Sequence, residues 1–315
     1  MNLEEIRTAN SRISDIIIPN TPLLRSHLDH SDVGDIYLKL ENLQVTGSFK
    51  IRGAANKLTQ LEKGLGIVTA SAGNHGQAVA LCAQKLGLKA KIAVPETTPK
   101  VKINKIRQYN QELILHGSIY DEAEDYAKEL AISEGLSYVS PYNDSQIIAG
   151  QGTIALEILS QMNDVDAIVV PVGGGGLISG IGVAAKSIRP EIEVIGVQSE
   201  ASPTMYESFL EGKLIDTKVE DSIADGLSGN LEHDSITFEI AKKYVDEMLL
   251  VKEKSIRDAI RFLWEKEGQI VEGSGAVPIA ALIEKKIQKP KKKIVAVISG
   301  SNIDLERFKA ILLSS

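Results

Sequence analysis

The stretch that decides the fold spans residues 41–54 and reads ENLQVTGSFKIRGA. Residues 35–40 before it alternate between polar and apolar side chains and are rich in β-formers, which predicts a strand. Small and apolar residues continue at helical spacing from 54 to 61. The Thr-Gly-Ser sequence at 46–48 is typical of a turn and a helix N-cap. The stretch therefore predicts a strand, a turn and a helix, with Lys50 in the first helical turn.

Lys50 is an unusual residue for that position. A cation in the first turn of a helix opposes the helix macrodipole, so helix formation alone does not favour it. The position suits an amine that is wanted in a pocket, where it can form a Schiff base. The alternative interpretation is a solvated surface lysine, and three further stretches bear on the choice.

The rest of the chain predicts an α/β protein. It has 315 residues, of which 43% are hydrophobic and 24% charged, as in an ordinary globular protein of one large or two modest domains. Short apolar strands, such as residues 66–70, 90–94 and 167–172, alternate with helical segments. Alternation with short connections predicts parallel sheets that are covered by helices on both faces. Two units are expected, one from about 66 to 141 and one formed by the flanking segments.

Composition excludes several classes of function. A net charge of −7 with interspersed signs lacks the basic footprint of a nucleic-acid-binding protein. The single cysteine, Cys82, excludes an intrachain disulfide and a cysteine metal cluster. The N-terminus lacks the features of a signal peptide, and the apolar run 167–185 resembles a buried strand and a glycine turn. We therefore expect a cytoplasmic protein with no nucleic-acid partner and no membrane partner.

Four consecutive glycines, Gly173, Gly174, Gly175 and Gly176, join an apolar strand to a helix. Such a loop lets successive backbone N–H groups converge on an anion at the helix N-terminus. The Gly-x-Gly-x-x-Gly spacing of a dinucleotide site fails, and a Walker lysine is absent. The loop therefore favours a single phosphate over a pyrophosphate, and a tight turn without a ligand is the alternative.

Two more loops carry polar groups at the ends of predicted strands. Residues 71–76 read SAGNHG and offer N–H groups and the Asn74 amide to a carboxylate and a ring oxygen. His75 in this loop is either a ligand contact or a structural histidine. Residues 299–302 read SGSN and supply a hydroxyl, although alone they would indicate only a turn.

Together these stretches resemble the serine/threonine dehydratase and serine racemase family of fold type II pyridoxal-phosphate enzymes. The matching stretches are residues 47–54, 71–75, 148–153, 173–177, 272–276 and 299–302. The resemblance implies two open twisted sheets, rich in parallel strands, with helices on both faces. It also implies a small mobile domain of residues 66–141 inserted in a large cofactor-binding domain of residues 1–65 and 142–315. A homodimer is expected, and no C-terminal regulatory domain.

The resemblance implies a role for each matching residue. Lys50 would form the Schiff base with pyridoxal 5′-phosphate and act as the catalytic base. Phe49 would pack beside the cofactor ring, Asn74 would bond the ring hydroxyl, and Ser299 would face the pyridine nitrogen. The phosphate contacts would be Gly173, Gly174, Gly175, Gly176 and Leu177. The substrate contacts would be Ser71, Ala72, Gly73, Asn74 and His75.

Two positions distinguish the branches of this family. Racemases carry a second serine where this chain has Ala72, and alanine cannot serve as the second base of racemisation. Gln198 and Thr204 stand where the racemase branch has carboxylate metal ligands, so we expect no metal. The resemblance thus implies an L-threonine/L-serine ammonia-lyase that releases 2-oxobutyrate or pyruvate plus ammonia.

Three alternatives stay open at this point. Within the family they are a serine racemase and a 3-hydroxyaspartate dehydratase. In a different class, a non-catalytic α/β module would bind a phosphometabolite through the glycine loop. Threonine and serine differ by one methyl group, worth about 1–3 kcal/mol in an apolar pocket, so overlapping substrates are expected.

Overall fold

The computed structural model describes residues 1–28, 34–62, 64–287 and 292–313. The strands are β1 (Leu23–Arg25), β2 (Asp35–Leu40), β3 (Ile67–Ala70), β4 (Ala90–Val94), β5 (Glu112–Leu115), β6 (Ser137–Tyr138), β7 (Ala167–Pro171), β8 (Glu193–Ser199), β9 (Glu247–Val251) and β10 (Lys293–Ile298). The helices are α1 (Leu3–Ile13), α2 (Lys50–Leu58), α3 (Asn74–Leu86), α4 (Lys100–Arg107), α5 (Tyr120–Ser133), α6 (Ser145–Gln161), α7 (Gly176–Ile188), α8 (Thr204–Glu211), α9 (Ile236–Tyr244), α10 (Glu253–Glu265), α11 (Gly273–Ile283) and α12 (Leu305–Leu313).

The strands form two sheets, which confirms the predicted α/β class. One sheet has six strands in the order β1-β2-β10-β7-β8-β9, and the other has four in the order β5-β4-β3-β6. Every pair is parallel except β1 with β2. The four-stranded sheet is built from residues between 66 and 141, whereas the six-stranded sheet takes strands from both sides of that segment. The domain boundaries stay a prediction.

The central strands are buried on both faces because helices cover each side. In β7, Ala167 and Val169 pack into one hydrophobic cluster with α10 and α11, while Ile168 and Val170 pack into another with α6 and α7. Successive side chains of a strand point to opposite faces, so a strand between two helical layers is apolar throughout. This arrangement explains why β7 shows no alternation of polar and apolar residues.

The start of α2 differs from the prediction made for the turn before it. Phe49 is the N-cap residue and no side chain caps the helix, so the N-cap assigned to residues 46–48 is wrong. The turn is held instead by the loop after β10. Phe49 N donates to Ser299 O at 3.0 Å, and Ser301 N donates to Gly47 O at 2.8 Å. These two backbone hydrogen bonds connect the start of α2, and with it Lys50, to the end of β10 in the six-stranded sheet.

Hydropathy along the helices bears on membrane insertion. Within the described residues, none of the helices combines the length and the apolar character needed to cross a bilayer.

Candidate active site

Each of the three predicted loops follows the carboxyl end of a parallel strand. The 71–74 loop follows β3, the glycine loop follows β7, and the 299–302 loop follows β10. In open parallel sheets this edge is where ligands bind, since the loops there converge and helix N-termini point inward. Lys50, at the first position of α2, lies against the loop after β10.

Lys50 carries the amine of the site. Its Nζ donates to Pro141 O at 2.8 Å and lies 5.3 Å from the centre of the Phe49 ring. Burial lowers the pKa of Lys50 to about 8, and the charge of Glu272 opposes this shift. A primary amine with such a pKa is neutral far more often at physiological pH than a surface lysine, and only the neutral form is a nucleophile.

Asn74 begins α3 and is bonded on two sides. Its Nδ2 donates to Glu272 Oε1 at 2.6 Å, and its Oδ1 accepts from Asn302 Nδ2 at 2.7 Å. Burial raises the pKa of Glu272 to about 7, although the bond from Asn74 lowers it. Glu272 is the side chain that sequence reasoning missed. Its stretch was matched to the family, but nothing in the pattern placed a carboxylate beside Asn74.

The glycine loop offers backbone donors without partners. Within the described part of the chain, no group accepts a hydrogen bond from the N–H of Gly173, Gly174 or Gly175. Thr237 Oγ1 donates to Gly174 O at 2.7 Å, so the carbonyl of that peptide is already bonded. Gly175 has φ +82° and is the N-cap of α7, where the macrodipole favours an anion. The loop has the chemistry of a single-phosphate site.

The same loop has no room for side chains. A Cβ on Gly174 would lie 2.4 Å from the Tyr142 ring, and one on Gly175 would lie 2.6 Å from Met205 Cε. The glycines therefore serve two purposes, since they free the N–H groups and admit Tyr142 beside the loop. Leu177, in the first turn of α7, is buried.

The loop after β3 places Ser71, Ala72 and Gly73 just before α3, all half-buried. Ser71 Oγ accepts from Gly73 N at 3.2 Å. A carboxylate at this helix start would meet the first-turn N–H groups and the Ser71 hydroxyl, which are suitable donors.

His75 has a different environment from the one expected of a substrate contact. Its side chain is buried, and Nε2 lies 3.0 Å from Val139 O, so Nε2 carries the hydrogen. Burial and the Lys50 charge lower the pKa of His75 to about 3, which keeps the ring neutral. The structural alternative accounts for the imidazole, and a substrate contact at this residue would use the backbone N–H.

Ser299 is 2% exposed and follows β10 directly. Its carbonyl oxygen accepts a hydrogen bond from the Phe49 N–H, so Ser299 lies next to the residue that precedes Lys50. Ser301 Oγ donates to Asn42 O at 3.0 Å, so this hydroxyl has a local structural partner.

The two positions considered for a metal are engaged by protein groups. Gln198 Oε1 accepts from Tyr206 N at 2.7 Å. Thr204 Oγ1 lies 2.7 Å from Thr217 Oγ1 and 3.0 Å from Asn230 Oδ1. Across the described residues, no group of three or more His, Cys, Asp or Glu side chains is arranged to hold a metal ion.

Residues 15–300 match a family model described as pyridoxal-phosphate dependent enzyme. The chain belongs to this family. The L-threonine ammonia-lyase of Thermotoga maritima is 46% identical over 315 residues, which cover 99% of this chain and 78% of that protein. Threonine deaminase isoform 2 from Solanum lycopersicum superposes with a TM-score of 0.92 and 37% identity, over 98% of this chain and 86% of that one. Maize serine racemase gives a TM-score of 0.93 and 33% identity, over 98% and 96%.

The residues of this pyridoxal-phosphate enzyme fit the cofactor. The free N–H groups at the start of α7 suit its phosphate, and the half-buried Lys50 amine with its lowered pKa suits its aldehyde. The buried Ser48 Oγ and Ser274 Oγ have no hydrogen-bond partner among the described residues; Ser48 directly precedes Phe49, and Ser274 lies two residues after Glu272. Orphaned hydroxyls beside a site are consistent with a polar ligand.

Proposed function

We propose that this enzyme is an L-threonine/L-serine ammonia-lyase that releases 2-oxobutyrate or pyruvate plus ammonia. The observation that carries the proposal is the half-buried Lys50 amine, whose pKa is lowered by desolvation, among loops that supply donors for a phosphate and a carboxylate. The relatives support it, since the Thermotoga protein is named an L-threonine ammonia-lyase and the Solanum protein a threonine deaminase.

The cofactor, when bound, supplies an aldehyde for amines and a ring that draws electrons from the substrate α-carbon. Lys50 Nζ, freed when the substrate amine takes its place, accepts the proton from the α-carbon as general base. Its lowered pKa suits this role, because the amine must be neutral to accept a proton. The β-hydroxyl leaves with a proton as water. The enamine that remains tautomerises to an imine, and a second water molecule hydrolyses this imine to the 2-oxo acid and ammonia.

The other residues orient and enclose the reactants. The N–H groups of Gly173 to Gly176, with Leu177, would hold the phosphate, and Phe49 would pack beside the ring. Asn74 would donate to the ring hydroxyl. Ser299 would supply a neutral hydroxyl for the ring nitrogen, which does not enforce its protonation. Ser71 and the backbone from Ala72 to His75 bind the substrate carboxylate, which sets the α-hydrogen toward Lys50.

Ala72 favours elimination over racemisation. Racemisation needs a second acid or base on the face of the substrate opposite Lys50, and an alanine methyl group cannot supply one. The overall fold does not separate the two activities, because maize serine racemase superposes as well as the threonine deaminase does. An Ala72→Ser variant should gain D-serine formation if the chain is in fact a racemase that lost this hydroxyl.

The first experiment is a paired assay on purified holoenzyme. Release of 2-oxo acid and the chirality of the remaining amino acid are followed with L-threonine, L-serine and L-threo-3-hydroxyaspartate. We expect 2-oxobutyrate and pyruvate without D-amino acid. Accumulation of D-serine, or activity confined to 3-hydroxyaspartate, would contradict the proposal. Protein that neither turns yellow nor changes absorbance with pyridoxal phosphate would indicate a binding module.

A Lys50→Ala variant tests the central assignment. We expect loss of the Schiff-base absorbance and a fall in kcat of at least about 10³-fold, since nucleophile and base are removed together. A variant that keeps both the absorbance and the turnover would contradict the role of Lys50. Lys57→Ala, at an ion-paired lysine in the last turn of the same helix, is the matched control.

We also propose that residues 66–141 form a small domain that closes over the substrate, and that the enzyme is cytoplasmic. A third proposal is that the enzyme is a homodimer. An apolar patch supports the dimer, because Leu43, Val45 and Ile270 stay 44%, 42% and 46% exposed. Asn42 Nδ2 donates to Ile270 O at 3.4 Å, which places these segments side by side. Clustered exposed apolar residues mark interaction surfaces. Sedimentation velocity would test the dimer, and a monomer at micromolar concentration would contradict it.

A further inference from the structure

The side-chain amide of Asn74 has two orientations, which present either its NH2 group or its oxygen to a ligand, and its neighbours select one of them. Its Oδ1 accepts from Asn302 Nδ2, and its Nδ2 donates to Glu272 Oε1. The amide nitrogen carries two hydrogens, so one remains for a ligand oxygen while Glu272 holds the other. With the opposite orientation, Asn74 Nδ2 would face Asn302 Nδ2, and two donors would lie together without an acceptor.

Asn302 is itself fixed in one orientation by two further contacts. Its Nδ2 also donates to Thr46 O at 2.8 Å, and its Oδ1 accepts from Lys105 Nζ at 3.1 Å. A carbonyl oxygen only accepts and an ammonium only donates, so both contacts select the same orientation of the Asn302 amide. Lys105, Asn302, Asn74 and Glu272 therefore form a directional chain, here called the amide chain, from a cation to a carboxylate.

The amide chain joins the segments of the two sheets. Lys105 lies on α4 and Asn74 on α3, within the segment that carries the four-stranded sheet. Asn302 follows β10 of the six-stranded sheet, and Glu272 directly precedes α11. Each bond of the chain crosses from one segment to the other, so the Asn74 orientation depends on their mutual arrangement.

We propose that Asn302 is a positioning residue that turns the Asn74 amide so that its N–H, and not its C=O, faces the cofactor, with Lys105 supporting Asn302. This inference rests on the proposed contact between Asn74 and the cofactor. Asn302 does not touch the reacting atoms in this role. It acts through Asn74, and Lys105 acts through Asn302.

A double-mutant cycle on cofactor affinity tests this role. Holoenzyme is dialysed against graded pyridoxal phosphate, and retained cofactor is measured for wild type, Asn74→Ala, Asn302→Leu and the double variant. We expect each single variant to raise the dissociation constant about tenfold, as for one good hydrogen bond. The double variant should resemble the Asn74→Ala variant, because Asn302 has nothing left to orient.

Two further variants separate positioning from a general structural role. Asn302→Asp keeps the acceptor for Lys105 but removes both N–H donors, so it should weaken cofactor binding as Asn302→Leu does. Lys105→Met should raise the dissociation constant about two- to fivefold, since it removes one support of Asn302. Lys100→Met makes the same replacement at an exposed lysine of α4 and should change nothing. If the Asn302→Leu variant does not fold, the cofactor affinities of Asn302→Asp and Lys105→Met test the positioning role in its place.

The outcomes distinguish this inference from the proposed function. If Asn74→Ala leaves cofactor affinity unchanged, its cofactor contact is wrong and the positioning role is wrong with it. If Asn74→Ala weakens binding while Asn302→Leu and Asn302→Asp do not, or if the two effects multiply in the double variant, only the positioning role is overturned. The ammonia-lyase proposal depends on turnover and is tested separately.

Discussion

Lys50 and Glu272 are two ionisable residues whose pKa values both move toward neutral pH. Burial lowers the pKa of Lys50 to about 8 and raises that of Glu272 to about 7. Each group loses hydration in its charged form, so the amine releases its proton more easily and the carboxyl holds its proton longer. Groups shifted in this way are typical of catalytic sites.

The Glu272 shift predicts how the stability of the cofactor-free protein depends on pH. The folded state binds the Glu272 proton more tightly than the unfolded state, so this group stabilises the fold below its unfolded pKa of about 4.5. This contribution to the free energy of unfolding falls as the pH rises from about 4.5 through 7. The total loss is about 3 kcal/mol for a pKa shift of this size. We expect Glu272→Gln to remove this fall in stability between pH 5 and 8.

Urea unfolding of the cofactor-free protein at several pH values measures that difference. The quantity to compare is the wild-type free energy of unfolding minus that of Glu272→Gln, because other groups titrate in both proteins. Glu265→Gln, at an exposed glutamate of α10, is the control. A wild-type-minus-variant difference that stays constant from pH 5 to 8 would mean that Glu272 is ionised normally.

At the scale of elements, α2 is anchored by a buried ionic cluster. Arg52 is fully buried, donates through Nε and Nη2 to both oxygens of Glu41 and donates through Nη1 and Nη2 to both oxygens of Glu157. Lys39 Nζ donates to Glu157 Oε2 at 2.7 Å and to Thr21 O at 2.8 Å. The cluster balances two cations and two carboxylates between β2, α2 and α6. It fixes the helix that begins at Lys50.

Removing one partner of this cluster should be costly. In Arg52→Leu the carboxylates of Glu41 and Glu157 stay buried with one cation between them, and we expect a loss of about 3–5 kcal/mol of stability. Urea denaturation measures it. Arg7→Leu, at a 57% exposed arginine of α1 with a 3.6 Å ion pair, should cost less than about 1 kcal/mol. Equal losses in the two variants would refute the anchoring role.

Two helices that flank the glycine loop pack backbone against backbone. A Cβ on Gly180 of α7 would lie 2.4 Å from Ile148 O and 2.5 Å from Gly152 N of α6. Because both neighbours are backbone atoms, Gly180→Ala should force the helices apart and destabilise the protein by about 1–3 kcal/mol. Gly182→Ala, on the same helix, would meet Tyr244 Cβ at 3.0 Å and should cost less. Thermal unfolding measures the stability of both variants. A Gly180→Ala variant as stable as the wild type would rule out this close packing.

At the scale of the whole molecule, Lys128 bridges the segments of the two sheets. Its Nζ donates to Glu124 Oε2 at 3.1 Å on α5 and to Glu232 Oε1 at 3.3 Å, before α9. Glu232 N donates to Tyr142 Oη at 3.1 Å, and the Tyr142 ring covers the glycine loop. The bridge therefore ties α5 to residues that lie next to the proposed phosphate site.

Lys128→Met should weaken this bridge without unfolding the protein. Lys128 is 40% exposed, so the cost in stability should stay below about 1 kcal/mol. If the bridge favours the closed arrangement, KM should rise about two- to fivefold at low salt, and the difference from wild type should shrink at high salt. Steady-state kinetics measure this, with Lys218→Met at an 85% exposed lysine as control. An unchanged KM would refute a role in closure.

Several elements follow from local sequence alone. The bounds predicted for β4, from its run of β-formers, and the fold class, from alternation, agree with the structure. The helix start at Lys50 and the glycines before α7 were also predicted, although the N-cap expected at 46–48 was wrong because backbone bonds from the loop after β10 hold that turn. The helix α11 was not among the predicted elements; it contains Pro278, which local sequence patterns treat as a helix breaker.

What the sequence by itself determined is which groups the chain makes available: an amine at a helix start, four consecutive glycines between a strand and a helix, and an alanine at position 72. Only the tertiary structure decided which groups meet and how deeply they are buried. Asn74 and Glu272 are 198 positions apart along the chain yet 2.6 Å apart in space. The pKa values of Lys50, His75 and Glu272 follow from burial, which long-range packing creates and which no local pattern encodes.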